Sequence, residues 1–277
     1  MEQSNALTYQ EQNVVQIKDK NEVYTFVCTI GAGTYGTVAK VKKEGKSGQY
    51  YAVKTVEKSG DLTDEEYLAF RETSNIKNVV KAISLIKTEN HNHIVMELME
   101  GGDLFNYLSL HGPMSRFRAI SLFKKLVITV GELLNIGLYP GDLKTENLYY
   151  SREKKALIIL DLGGMKHMKT ENGSKKQVAT TSFSPPEFHL EKSEDKKEEH
   201  NYGELHLSWT LGLILWEMVT GERKPIDNLK DIIYFELQIP NEIIWLNNSE
   251  TYYLIKNLLE VNPAKRLTFG SLHKLFL

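Results

Sequence analysis

Cysteine is nearly absent from this sequence: Cys28 is the only one among 277 residues. A lone thiol cannot form an intramolecular disulfide or supply a cysteine-based zinc site, and such usage is typical of a reducing compartment. Proline and glycine are also sparse, at 7 and 19 residues, which argues against a disordered or collagen-like chain. The composition therefore predicts a folded protein in which Cys28 is an ordinary small residue of a strand.

The sequence also lacks a long apolar run and an excess of charge. The most apolar stretch, residues 211–219, is too short to cross a bilayer and contains Glu217, and residues 1–20 have no apolar signal core. Lys and Arg number 34 against 36 Asp and Glu, so the net charge of -2 would not draw the protein to nucleic acid or an anionic membrane. These features predict an intracellular protein, in the cytoplasm or nucleus, without a membrane span or a sequence-specific nucleic-acid partner.

The first third of the chain has the pattern of a small β-sheet. The runs VYTFVCTI, TVAKVKK and QYYAVKTV are separated by the turn-like segments GAGTYG and EGKSG, which predicts three consecutive antiparallel strands from Val23 to about Lys54. A helix is predicted from Thr63, where T-D-E-E has the form of a capping box. Two further runs, VVKAISLI and HIVMELM, predict two more strands.

After Gly101-Gly102 the pattern becomes helical. Amphipathic or strongly apolar stretches predict helices over residues 115–137, 205–220 and 250–259. The predicted class is therefore α+β, with a β-rich lobe joined to a helical lobe. Ligand sites of two-lobed proteins are usually found at the junction of the lobes.

Two features of the β-rich lobe indicate phosphate binding. Gly31, Gly33 and Gly36 lie between two predicted strands, so they form a hairpin and not the strand-to-helix turn of a dinucleotide fold. Glycine allows backbone N–H groups to approach phosphate oxygens. Lys54 follows on the third strand among apolar residues, where a charge is costly unless an anion meets it. Taken alone, the glycines could form a plain turn and Lys54 could extend its ammonium group to water. The spacing between the glycine hairpin and Lys54 favours a phosphate ligand.

Downstream motifs make the pattern specific. GDLKTEN (residues 141–147) precedes a predicted apolar strand, LIIL, that ends in Asp161-Leu-Gly, and SPPE (residues 184–187), Leu211-Gly212 and Arg266 follow. This order resembles the eukaryotic protein kinase family over roughly residues 23–277. The resemblance implies a bilobal protein-kinase fold, with an antiparallel β-sheet lobe that has one main helix (about 23–100) and a mostly helical lobe (about 101–277). Residues 1–22 would be an N-terminal extension.

The resemblance also implies a role for each motif. Asp142 would accept the proton of the substrate hydroxyl, Lys144 would supply positive charge beside it, and Lys54 would hold the α- and β-phosphates of ATP. The oxygen donors Asn147 and Asp161 would hold Mg²⁺. Glu97 and Met99 would bind adenine through their backbone, and Asp103 would reach the ribose. The remaining residues implied in nucleotide binding are Gly31, Gly33, Gly36, Val38 and Ala52.

The helix glutamate that pairs with Lys54 has two candidates. Glu72 lies nine residues after the presumed cap at Thr63, in mid-helix, and is preferred because Glu66 occupies the capping-box position. The choice of Glu72 leaves an unusually short connection before VVKAIS. The choice of Glu66 would shorten the connection before the helix instead.

Other residues point to the branch of the family. Lys144, together with Thr180 in the segment before SPPE, is similar to the serine/threonine branch, so the expected partner is a protein substrate with a Ser or Thr acceptor, a basic protein being one candidate. Glu187 and Arg266 resemble the pair that ties the activation segment to the helical lobe. The compact domain, HIVMELMEGGDLFNYL and MKHMK also look like kinases of large DNA viruses such as baculoviruses.

The sequence departs from the family pattern at two places. Pro140-Gly141 stands where the family has His-Arg, and Leu207 stands where it has an aspartate that bonds the catalytic-loop backbone. Because these residues only support the loop, we predict an active serine/threonine kinase that uses ATP and Mg²⁺. The alternative is a pseudokinase that binds a nucleotide or a partner without turnover. A small-molecule phosphotransferase is disfavoured because SPPE and Thr180 suit a protein substrate.

Overall fold

The computed structural model describes residues 16–19, 22–33, 36–45, 48–57, 62–167, 183–187, 202–223, 246 and 249–277. The chain divides into two compact units. The first consists of Met1–Tyr67 with Lys81–Met99, and the second of Leu68–Val80 with Glu100–Leu277.

The first unit is built on an antiparallel sheet. Its strands are β1 (Gln16–Asp19), β2 (Glu22–Gly33), β3 (Gly36–Lys43), β4 (Tyr50–Glu57), β5 (Ala82–Lys87) and β6 (His91–Glu97). They lie in the order β1-β2-β3-β4-β6-β5. The prediction of three consecutive strands followed by two more is confirmed. Strand β1 falls inside the segment assigned to an N-terminal extension, yet it pairs with β2 and so belongs to the sheet.

One face of this sheet carries the apolar core of the unit. Tyr24 on β2 and Tyr51 on β4 pack edge to face, with ring centroids 5.8 Å apart, beside buried Val53. Successive residues of a strand point to opposite faces. Ala52 and Lys54 therefore lie on the face opposite Tyr51 and Val53, so the core fixes the side of the sheet on which the lysine lies.

Helix α1 (Leu62–Glu72) follows β4 and ends in a 3₁₀ turn, Thr73–Asn75. Its start agrees with the predicted capping segment within one residue. The short connection to β5 is held in the second unit, where Ile159 N–H donates to the carbonyl of Asn78 over 2.8 Å and Val80 N–H donates to the carbonyl of Ile159 over 2.9 Å.

The second unit is mostly helical. Its described helices are α2 (Leu104–His111), α3 (Arg116–Asn135), α4 (Tyr202–Thr220), α5 (Glu250–Leu258) and α6 (Phe269–Phe276). Two short antiparallel pairs accompany them: β7 (Leu138–Pro140) with β10 (Met165–His167), and β8 (Leu148–Ser151) with β9 (Ala156–Ile159). The three predicted helices are confirmed as α3, α4 and α5, and the predicted strand LIIL is confirmed as β9. Helices α2 and α6 and the strands β7, β8 and β10 were not predicted.

Helix α4 is the centre of this unit. Every residue from position 206 to position 220 is buried, including Trp209 and Trp216. A helix that is apolar all round needs neighbours on all sides, and α3, α5 and α6 contact it. Among the described helices, none combines the length and the hydrophobicity that crossing a membrane requires.

Candidate active site

The glycine hairpin joins β2 to β3. Gly33 pairs with Gly36 and Gly31 with Val38, and residues 34 and 35 lie outside the described residues. Gly36 has φ of +126°, and a Cβ there would overlap the carbonyl oxygen of Thr55 on the neighbouring strand β4. Only glycine fits that position, since it combines a left-handed φ with close backbone approach.

Lys54 forms a buried ion pair with Glu66. The Lys54 Nζ atom lies 2.7 Å from Glu66 Oε1, and the side chains are 7% and 6% exposed. Val38 is the β3 residue opposite Lys54, and Ala52 is buried beside it between Lys40 of β3 and Met96 of β6. An unpaired lysine could not remain charged at this depth, so the carboxylate keeps the ammonium in place.

The preference for Glu72 as the partner of Lys54 is wrong. Helix α1 begins at Leu62, so Glu66 lies in its second turn, and its carboxylate meets Lys54 of β4. Glu72 lies six residues later, about 240° further round the helix. Its half-exposed carboxylate is 3.7 Å from His167 Nε2 in the second unit.

The end of β6 and the segment after it contain the three residues assigned to adenine and ribose. The N–H of Glu97 donates to the carbonyl of Lys81 over 3.0 Å, and Met99 is half-buried. Asp103 is the N-cap of α2: its Oδ1 accepts from the N–H of Asn106 over 2.7 Å and its Oδ2 from Asn106 Nδ2 over 2.8 Å. Helix capping therefore explains Asp103 without a ligand.

The GDLKTEN segment brings three predicted residues together. Asp142 Oδ2 accepts from Lys144 Nζ over 2.9 Å and from Asn147 Nδ2 over 3.2 Å. Asn147 Nδ2 also donates to the backbone carbonyl of Asp142 over 2.8 Å. A lysine and an amide therefore hold the carboxylate of Asp142. Because the NH₂ group of Asn147 is used toward Asp142, Oδ1 is the atom of Asn147 that could bind a metal.

Asp161 lies beside this loop. The N–H of Leu160 donates to the carbonyl of Asn147 over 2.9 Å, and Asp161 Oδ1 accepts from the N–H of Gly163 over 2.8 Å. Both Asn147 and Asp161 line a small pocket that Asp142 also lines. These oxygen donors suit Mg²⁺, which keeps several waters or phosphate oxygens as ligands. No group of three or more His, Cys, Asp or Glu side chains in the described part of the chain could hold a metal by itself, so waters or phosphate oxygens would complete the set.

The missing arginine before Asp142 has a steric explanation. Gly141 N–H donates to the carbonyl of Gly164 over 2.9 Å, and a Cβ on Gly141 would lie 2.8 Å from that oxygen. A Cβ on Gly164 would lie 2.7 Å from the Cβ of Asp142. The two backbones approach so closely that neither position accepts a side chain unless the loop moves.

Sequence reasoning missed a charged network at the end of this loop. Arg223 Nε lies 3.0 Å from Glu217 Oε1 and its NH1 lies 2.8 Å from Glu146 Oε1, while Thr145 Oγ1 donates to Glu217 Oε2 over 2.5 Å. Burial by itself raises the pKa of Glu146, but the hydrogen bond and charge of Arg223 outweigh it and leave that pKa below its usual value. Glu217 could have indicated this network from the sequence, since it is an acidic residue in the most apolar stretch and a buried charge requires a partner.

The predicted pair of Glu187 and Arg266 is present. Arg266 NH1 and NH2 donate to the two carboxylate oxygens of Glu187 over 2.6 Å and 2.8 Å, and the arginine side chain is fully buried. Arg266 also donates through Nε to the carbonyl of Glu260 over 2.8 Å and stacks over Trp209 at 5.0 Å. The pair ties residues 183–187 to α4 and the segment after α5. Thr180 lies outside the described residues.

The comparisons with known proteins agree with this arrangement. A family model described as the protein kinase domain matches residues 24–275. A curated relative, the serine/threonine-protein kinase cds1 of Schizosaccharomyces pombe, is 30% identical over 272 residues, which cover 91% of this chain and 57% of the relative. The chain therefore belongs to the protein kinase family, and it spans little more than half the length of that relative. The likeness to a viral kinase is not shown.

Proposed function

We propose that this protein kinase transfers the γ-phosphoryl group of ATP to Ser or Thr hydroxyls of protein substrates. The observation that carries the proposal is the cluster in which Lys144 and Asn147 hold the carboxylate of Asp142. A carboxylate so fixed is suited to accept the proton of an attacking hydroxyl. The lysine two residues later and the similarity to cds1 support a Ser or Thr acceptor.

The other residues divide between nucleotide and metal. Lys54, fixed by Glu66, would bind the α- and β-phosphates, and the glycine hairpin would donate backbone N–H groups to them. Glu97 would offer its carbonyl to adenine, since its N–H already donates to Lys81. Asn147 and Asp161 would hold Mg²⁺, which supplies positive charge against the phosphate oxygens.

The test is incubation of the purified protein with γ-labelled ATP, Mg²⁺ and a basic protein substrate, followed by phosphoamino-acid analysis. Label on Ser or Thr is the expected result, and label on Tyr alone would overturn the assigned acceptor. A rise in melting temperature with nucleotide but no transfer would support the pseudokinase alternative, which the replacement of His-Arg by Pro140-Gly141 favours.

An Asp161→Asn variant makes the assay specific for the proposed metal site. Asparagine keeps an oxygen for the N–H of Gly163 but removes the negative charge that binds a divalent cation. Transfer should nearly vanish while the melting temperature without ligands stays the same. Undiminished Mg²⁺-dependent turnover would remove Asp161 from the site.

A further inference from the structure

A buried polar pair joins the strand before the catalytic loop to helix α4. The hydroxyl of Tyr139, on β7, lies 2.7 Å from His206 Nδ1 and 3.3 Å from the carbonyl of Gly203. Burial raises the pKa of Tyr139 and lowers the pKa of His206 to about 4, so both are uncharged at neutral pH. Burying two polar groups is costly unless they bond each other, and apolar residues would pack here without that cost.

A second buried bond joins the other end of the loop to the same helix. Thr145 Oγ1 donates to Glu217 Oε2 over 2.5 Å, and Arg223 fixes the other oxygen of that carboxylate. His206 and Glu217 are eleven residues apart on α4, about three turns and about 16 Å, so they lie on the same face of the helix. Asp142 lies in the sequence between Tyr139 and Thr145.

The loop receives no side-chain support from the residues just before Asp142. Pro140 has no N–H, and Gly141 has no side chain because the carbonyl of Gly164 occupies the space. Leu207, next to His206, is a buried apolar residue that cannot accept a hydrogen bond from the loop. The two bonds to α4 therefore stand in for the side-chain support that Pro140, Gly141 and Leu207 do not give.

We propose that the loop carrying Asp142 is held in register by two side-chain ties to helix α4, Tyr139–His206 before it and Thr145–Glu217 after it. These four are positioning residues, which act through the placement of Asp142. The inference rests on the proposed function for its effect on turnover, but not for its effect on the loop itself.

The test compares Tyr139→Phe and Thr145→Val, each of which removes one hydroxyl and keeps the shape of the side chain. Each should lower kcat about tenfold and leave KM for ATP within about twofold, because a misplaced carboxylate slows the chemical step and not nucleotide binding. Thr145→Ser keeps the hydroxyl, and His206→Asn keeps an acceptor for the hydroxyl of Tyr139. Both variants should therefore retain most of the activity. The matched control is Ser208→Ala, which loses a buried bond to the carbonyl of Glu204 on the same helix and should leave kcat unchanged.

Amide hydrogen exchange supplies a readout that does not need turnover. The N–H of Gly141 donates to Gly164, and the N–H of Asn147 donates to the carbonyl of Lys144 over 3.0 Å. Both amides should exchange faster in Tyr139→Phe and Thr145→Val, while the α6 amide of Leu272 stays unchanged.

Unchanged loop exchange in both variants would overturn the proposal, whatever their kcat. Faster exchange with unchanged kcat in an active enzyme would overturn the role in phosphoryl transfer. If the unmodified protein transfers no phosphate, the proposed function fails, and the exchange rates alone decide whether the ties hold the loop.

Discussion

At the scale of single residues, the ion pair of Lys54 shows which glutamate of α1 lies at the candidate site. The ion pair with Glu66 is buried and short, whereas Glu72 is half-exposed and beside His167. The sequence favoured Glu72 because Glu66 matched a capping box, a local pattern that cannot tell where the helix starts. Glu66 and Glu72 lie about 240° apart round the helix, so only one of them can face Lys54.

Glu66→Gln should lower kcat/KM at least tenfold, because the amide cannot neutralise Lys54 and the lysine loses its fixed position. Glu72→Gln is the matched control on the same helix and should stay within about twofold of the unmodified protein. The measurement is steady-state transfer at several ATP concentrations. A larger loss in Glu72→Gln than in Glu66→Gln would show that the pairing in the working enzyme differs from the one described.

At the scale of secondary structure elements, buried polar contacts join α4 to the segments that carry the motifs. Glu187 reaches the helix through Arg266, whose NH1 donates to the carbonyl of Leu205 over 3.2 Å, and Thr210 donates to the carbonyl of Phe183 over 3.4 Å. An apolar helix surrounded by the core makes a rigid base for such contacts. These contacts attach residues 183–187 to α4.

Glu187→Gln should reduce the free energy of unfolding by about 3 kcal/mol, since it leaves the buried Arg266 without its countercharge. Urea denaturation of the full chain measures this loss of stability. Glu250→Gln is the control, because the pair of Glu250 with Arg116 is exposed and should contribute nothing measurable. Equal stability of the two variants would contradict the assigned importance of the buried pair.

Prediction from sequence succeeded where the information is local. Alternating strands, the apolar face of α3 and the order of the motifs all follow from short windows. The eight-residue helices α2 and α6 were missed because so short a segment shows little periodicity. The bonds of Tyr139 to His206 and of Thr145 to Glu217 join residues 67 and 72 positions apart, and no local pattern specifies them.

At the scale of the whole molecule, each unit carries some of the residues of the proposed site. The first unit has the glycine hairpin and the Lys54–Glu66 pair, and the second has Asp142 with Lys144 and Asn147, beside Asp161. The departures from the family pattern, Pro140-Gly141 and Leu207, are all in the second unit. There the close approach of Gly141 to Gly164 and the two ties to α4 take the place of the missing side chains.

The central claim is that Asp142 is a working catalytic residue despite the altered loop around it. The most direct measurement is kcat for Asp142→Asn and the unmodified protein at saturating ATP and Mg²⁺, with nucleotide affinity measured by calorimetry. We expect steady turnover in the unmodified protein and a loss of at least about a hundredfold in the variant, with ATP affinity within about twofold, because only proton acceptance is removed. Equal kcat in the two proteins, or tight ATP binding without any transfer by the unmodified one, would contradict the claim.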